Sequence, residues 1–417
     1  MNQNRQDLAV VGGGVVGICA ALFAQRAGFD VTLIDPREPG SQTSFGNAGI
    51  VCGGHYVPTA MPRAPLEILK LALNQTTYAC YRPAALPGFL GWLAAFWKES
   101  APVNLYATAR EALPAMAHTV ALHRKLLNEA GAGELLRDTG WLAVFRSQQD
   151  FDAVRPELDF ARDAGIPFDV LSMVEARLLE PNLNPVFECA VNWRANSSVS
   201  DPFAVSQAYL KLFRQAGGSV QQTSALSIQP HDDRWRVETR DGSHYCGQVV
   251  VAAGAWSMEL LEPLGYRFPL KPKRGYHRHF AAQGNAGLAR PVVDDAVGYV
   301  LAPMARGIRM TTGIELARID DPVNEGMVQR VEPYARDLFP LAETLDDEVW
   351  MGRRPALPDS LPVVGPAPRH HGLWVDFGHA HLGLTLGPLT GLLLSQMLSG
   401  ETPIVDPEVF SPRRYAG

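Results

Sequence analysis

Residues 8–35 read LAVVGGGVVGICAALFAQRAGFDVTLID. The apolar run Leu8 to Val11 predicts a short buried strand, ICAALFAQRAG a helix closed by Gly28, and Val31 to Ile34 a second strand. That is one βαβ unit, and its first turn carries glycine at three spaced positions. Gly12 permits the tight turn, Gly14 lets the backbone approach a pyrophosphate, and Gly17 lets helix and strand pack closely. Val15 and Val16 open the helix, whose unpaired N–H groups and positive dipole end suit phosphate. Asp35, followed by Pro36 and Arg37, closes the second strand and is placed to accept hydrogen bonds from a ribose diol. Its charge disfavours a 2′-phosphate. This unit alone reads as a site for FAD or NAD.

Composition narrows the remaining classes. The chain of 417 residues is 47% hydrophobic and 19% charged, enough apolar surface to offset the entropy of ordering and to exclude disorder. Its net charge of −6, with no long Lys/Arg block, argues against a dedicated nucleic-acid binder. Five scattered cysteines without a CxxC suggest neither a zinc site nor a disulfide framework, so no metal is expected. The polar start MNQNRQD shows no signal-peptide pattern, and a reduced, cytoplasmic setting is expected. Residues 83–97 (PAALPGFLGWLAAFW) are too short to span a bilayer. They read as a helix packed on the protein's own core or, alternatively, as an interfacial helix touching the inner face of a membrane. Residues 382–400 read as a glycine turn feeding a buried helix.

Two further turns choose between the dinucleotides. The small-residue loop SQTSFGNAGIVCGG (41–54) follows the ribose acid directly, and its Ser44, Asn47, Ala48, Gly49 and Ile50 are placed to follow a pyrophosphate and run beneath a bulky ring system. VVVAAGAWS (249–257) is a second strand-to-glycine turn, with Ala253, Gly254 and Trp256. FGHAHLGLTLGP (377–388) is the third, with His379 and Leu382, and with Gly383, Leu384 and Thr385 opening the last helix. Three glycine turns so far apart suit one long cofactor better than nicotinamide held in a contiguous domain. FAD is therefore expected.

Between these turns, residues 64–138 read as mostly helical, 140–146 as a strand, and Asp201-Pro202 as the start of a helix. Residues 268–320 are strand-rich. The expected class is α/β: a Rossmann-like FAD-binding domain built from several segments, with an inserted α+β substrate domain containing a mixed, largely antiparallel sheet. The FAD segments are placed at 1–62, 147–257 and 345–417, and the substrate segments at 63–146 and 258–344.

With these turns in hand, the chain resembles the FAD-dependent D-amino-acid oxidase/dehydrogenase family, in particular its bacterial D-amino-acid dehydrogenase branch, which includes D-hydroxyproline dehydrogenases. The matching pieces are VVGGGVVG, TSFGNAG, SDPF, VVVAAGAWS, PLKPKRGYH, GRRPALPDSLPVVG and GHAHLGLTLG, running from residue 10 to about 390. Gly352-Arg353-Arg354-Pro355 matches the family's Gly-x-Arg-Pro, which implies that Arg354 grips the substrate carboxylate. A guanidinium fork suits that task; the competing reading pairs Arg354 with Asp359. Tyr276 and Tyr299, on expected strands, are either pocket walls or core, and His55 either faces substrate or is an ordinary loop histidine.

The resemblance implies hydride transfer from the Cα of a small D-amino or imino acid, such as a D-proline derivative, to flavin N5, with no catalytic acid–base side chain required. The imine formed stays cyclic or hydrolyses to a 2-oxo acid. Relatives that attach flavin covalently use a late cysteine; none follows Cys246, so non-covalent FAD is expected. The electron acceptor (quinone, oxygen or a protein) and the oligomeric state are left open. The alternative function is an FAD-holding subunit of a multi-chain electron-transfer dehydrogenase.

Overall fold

Strands Asp7–Val11, Asp30–Ile34 and Gln248–Val251 pair in parallel, with Asp7–Val11 in the centre. Val249, Val250 and Val251 are wholly buried, as a strand covered on both faces requires. The computed structural model describes residues 6–54 and 56–415. Ser219–Gln221 and Leu373–Phe377 extend this sheet in parallel on its two sides, and Val363–Pro366 closes the second side antiparallel. Helices Val15–Arg26, Pro202–Gln215 and Gly383–Ser399 supply much of the core on one face. Asp201 caps the second of these, as its sequence predicts, accepting from the N–H groups of Phe203 and Ala204. A three-stranded antiparallel meander, Ala225–His231, Arg234–Thr239 and Gly242–Cys246, stands beside the sheet, and its apolar side shares a core with Val249 and Val251.

The second sheet holds eleven strands among the described residues and is mixed but mainly antiparallel. Its long member, Lys271–Ala282, pairs with Gly307–Thr311, Ile314–Leu316, Leu341–Thr344 and Trp350–Ala356. Helix Gly326–Leu338 buries Met327, Val328 and Val331 in the same core as Tyr276, Tyr299 and Phe280.

The expected α/β class with a largely antiparallel second sheet holds, but sheet membership departs from the expected segment boundaries. Phe168–Ser172 and Cys189–Trp193, placed with the FAD segment 147–257, hydrogen-bond into the larger sheet beside Trp141–Phe145. Trp350–Ala356, placed in 345–417, does the same through seven pairs with Lys271–Ala282. Helix Pro102–Ala130, placed in 63–146, instead buries Ala112, Ala115, Met116, Leu126 and Leu127 in the core around the first and last helices. Long-range burial decided each case.

Within residues 83–97, Ala85, Phe89, Trp92 and Phe96 are buried, as a helix packed on the protein's own core requires, while the other face, with Leu90 and Trp97, is exposed. Among the described residues, no helix is long and apolar enough to cross a membrane.

Candidate active site

A cavity of about 860 Å³ lies between the two sheets, lined from residues as far apart as Val11 and Leu384. Its nucleotide end is the first βαβ turn. Gly12 has φ +114°, and a Cβ there would overlap the Ala252 carbonyl. A Cβ on Gly17 would overlap the Gly12 carbonyl, so Gly17 serves close packing and sits behind the wall. Gly14, Val15 and Val16 line the cavity where the first helix begins. Ser44 Oγ accepts the Val15 N–H at 2.9 Å, while Val16 and Gly17 lie among the first N–H groups that an α-helix leaves without internal partners. Asp35 accepts from the Gly13 N–H at 2.6 Å and the Arg37 N–H at 2.8 Å, which fixes its carboxylate at the rim beside Pro36 and Arg37. Burial pushes Asp35 above the ordinary carboxylate range, against those two amide hydrogen bonds.

The loop after Asp35 is braced at several points. Asn47 Nδ2 donates to the His381 carbonyl, and its Oδ1 accepts from the Gly49 N–H. Arg309, from the larger sheet, donates to the carbonyls of Phe45 (2.8 Å) and Asn47 (2.6 Å), and its Nε lies 3.0 Å from His279 Nε2. Thr385 Oγ1 takes the Cys52 N–H and donates to the Ile50 carbonyl, tying this loop to the last helix. Asn47, Ala48 and Ile50 face the cavity, whereas Gly49 and Thr385 stand behind its lining.

Across the cavity, Ala253, Gly254 and Trp256 contribute from the second turn, and His379, Leu382, Gly383 and Leu384 from the third. The last helix starts at Gly383 without a side-chain cap, so its first N–H groups are free of internal partners. His379 is buried beside Asp376, with Nε2 3.1 Å from Thr390 Oγ1, and burial lowers it to about 3, which keeps it neutral.

Arg354 projects from Trp350–Ala356 into the cavity beside Gly352. It donates to the carbonyls of Gly313 (2.9 Å) and Thr312 (3.3 Å), and burial lowers it to about 10, so it stays charged at neutral pH. Asp359 pairs with Arg414 instead, which disposes of the competing structural partner. Lys273 and His381 stand in the same cavity wall, and no sequence signal had singled out Lys273.

Both tyrosines border the cavity, but their hydroxyls are committed elsewhere. Tyr276 Oη bonds Glu315 and accepts from Arg274 at 2.8 Å. Tyr299 Oη donates to the Tyr334 carbonyl at 3.2 Å and accepts from Arg146. Both rings also belong to the apolar cluster on the helix side of the sheet, so each residue borders the cavity while its ring packs in the core. His55 lies outside the described residues.

The donor set fits FAD. Two helix starts with unpaired N–H groups, a fixed carboxylate at a ribose position, and glycine turns that let backbone form the wall all open on one space. The orphan donors are suited to anionic oxygens, and the apolar stretch from Ala253 to Leu384 to a flat ring.

A model of the FAD dependent oxidoreductase family, DAO, matches residues 7–397. The chain is 30% identical over 423 residues to a D-amino-acid oxidase of Bradyrhizobium diazoefficiens, covering 98% of this chain and 99% of that one. It is 29% identical over 415 residues to a D-amino acid dehydrogenase of Vibrio cholerae, covering 95% and 96%. Among solved structures, glycine oxidase from Geobacillus kaustophilus matches with a TM-score of 0.76 at 24% identity over 100% of both chains. L-proline dehydrogenase from P. horikoshii matches with a TM-score of 0.73 at 18% identity, over 100% of this chain and 99% of that one. These two likenesses show a shared fold.

Proposed function

The chain belongs to the DAO family of FAD dependent oxidoreductases, and on that premise we propose that it oxidises a small D-amino or imino acid with a free carboxylate. A D-proline derivative is one such substrate, and the product is an imine or, after hydrolysis, a 2-oxo acid. The chemistry that bound FAD supplies is acceptance of a hydride from the substrate Cα. Asp35 and the first helix start would hold the ribose and phosphates, and the N–H groups at Gly383 and Leu384, at the start of the last helix, would favour an anionic part of the cofactor. Arg354 takes the carboxylate and thereby orients Cα.

The observation that carries this reading is Arg354 itself: a half-buried cation, without an acidic partner among the described residues, presented to the cavity. The names of the two relatives, an oxidase and a dehydrogenase of D-amino acids, support the substrate class. Anaerobic bleaching of the bound flavin by a panel of D- and L-amino acids, sarcosine and proline derivatives tests it. D-Amino or D-imino acids are expected to bleach the flavin; a flavin that no member of the panel reduces overturns the proposal.

A further inference from the structure

Lys273 stands directly across from Arg354 in the pairing of Lys271–Ala282 with Trp350–Ala356, and across from Leu316 on its other side. Directly paired residues project from the same face of a sheet. Here that face is the cavity's, since Lys273 and Arg354 both line it. The lysine is only 5% exposed, and its Nζ lies 4.9 Å and 4.2 Å from the ring centroids of Trp92 and Phe96. Among the described residues it makes no ion pair, and Arg354 spends donors only on two backbone carbonyls. Two cationic heads in one enclosed corner, without a counter-charge, are unfavourable until an anion enters.

Resting on the carboxylate reading of Arg354, we propose that Lys273 is the second cationic ligand of the substrate carboxylate, and that its amine takes up a proton from solvent as the anion binds. The new N–H bond turns the amine into an ammonium, and the carboxylate supplies its counter-charge.

Burial first, then the Arg354 charge, lower Lys273 to about 7, so that near neutral pH a share of molecules holds the free amine. The other groups facing it do not titrate in this range. Arg354 is lowered to about 10 and His381 to about 4, while Leu316, Trp92 and Phe96 carry no charge. Glu315, next to Leu316, faces away and pairs with Arg82 and Arg274. Lys98, beyond Phe96 on its helix, is exposed, and Glu99 is half-buried.

The test uses the flavin-loaded protein and benzoate, a carboxylate with no amine of its own. Affinity is read from the flavin absorbance change between pH 6 and 9, and proton uptake from calorimetry in buffers of different ionisation enthalpy. Wild type is expected to take up close to one proton at pH 8 and little at pH 6, with Kd rising about tenfold per unit above pH ~7.5. Lys273→Met should bind benzoate at least about tenfold more weakly at pH 6, with no pH slope, no uptake and normal flavin content. Lys273→Arg, charged throughout, should keep binding but lose the uptake. Wild-type binding without slope or uptake, or a Lys273→Met variant with the wild-type Kd, overturns the assignment. If amino acids bleach wild type, and Arg354→Lys impairs this while Lys273→Met does not, only the lysine assignment fails. If neither benzoate nor any amino acid affects the flavin, the proposed function fails with it.

Discussion

The guanidinium of Arg354 lies over Gly275, so close that a Cβ on the glycine would overlap its Nη2. Gly275 sits one position beyond Lys273's neighbour Arg274, on the strand that faces Arg354. A methyl group there has no space unless the guanidinium moves. Gly275→Ala should therefore lower kcat/KM for the amino-acid substrate by about ten- to a hundredfold, the value of one charge-assisted hydrogen bond. Flavin content should stay normal. Kinetics and the flavin-to-protein absorbance ratio on one preparation check this, and unchanged kcat/KM would show that the position of Arg354 does not matter.

Arg354→Ala should cost at least about ten- to a hundredfold in kcat/KM, and Arg354→Lys should fall between it and wild type. A lysine keeps the charge but loses the planar fork that orients Cα. Because Asp359 is already satisfied by Arg414, neither variant should lower the thermal midpoint much. A large loss of stability or of flavin in both would reassign Arg354 to a structural role.

Purified protein should be yellow and release intact FAD on denaturation. Asp35→Ala should weaken FAD retention by about 1–3 kcal/mol, because the ribose contacts and the anchor for the Gly13 and Arg37 N–H groups go together. Dialysis followed by equilibrium titration with FAD measures it. Retention equal to wild type would mean that the ribose is held elsewhere.

Asp376 is fully buried, and its carboxyl is raised well above its ordinary range by burial. Its histidine neighbour, His379, is neutral and offers no charge to offset it. A group raised in the folded state favours folding at low pH, and that contribution is lost as pH rises from the unfolded value of 3.8 toward the folded one. Asp376→Asn should therefore raise the thermal midpoint by a few degrees at pH 8 and by less at pH 5. Thermal melts at both pH values decide the matter; an equal or opposite shift would show that the carboxylate has a counter-charge in solution.

What could be read from sequence was local. The turn at Gly12–Gly17, the acid at Asp35, the Asp201 cap and the start of the last helix each rest on backbone chemistry within a few residues. Arg354 came from the resemblance through the motif around it, and it does face the cavity. Which way a strand residue points was not readable where both faces of the sheet are covered. Tyr276 and Tyr299 therefore stood equally as wall or core, and the structure has them bordering the cavity with their rings in the apolar cluster. Lys273 gave no local sign, because its relation to Arg354 comes from register between strands some eighty residues apart in sequence. The fate of 168–193 was hidden for the same reason: it is set by the pairing of Cys189–Trp193 with Trp141–Phe145, a strand distant in sequence.

The cavity wall runs from Val11, near the start of the chain, to Leu384, in the first turn of its last long helix. During synthesis at the usual pace, the glycine turn leaves the ribosome on the order of 20–75 s before the helix that completes the opposite wall. A nascent chain can build the first strand–helix–strand unit early, yet it has no enclosed place for the dinucleotide until the helix that begins at Gly383 has emerged. Cofactor insertion is then expected only after that helix has emerged. Cells starved of riboflavin should accumulate full-length apoprotein rather than stalled fragments, and late truncations should yield colourless chains however intact their amino-terminal motif.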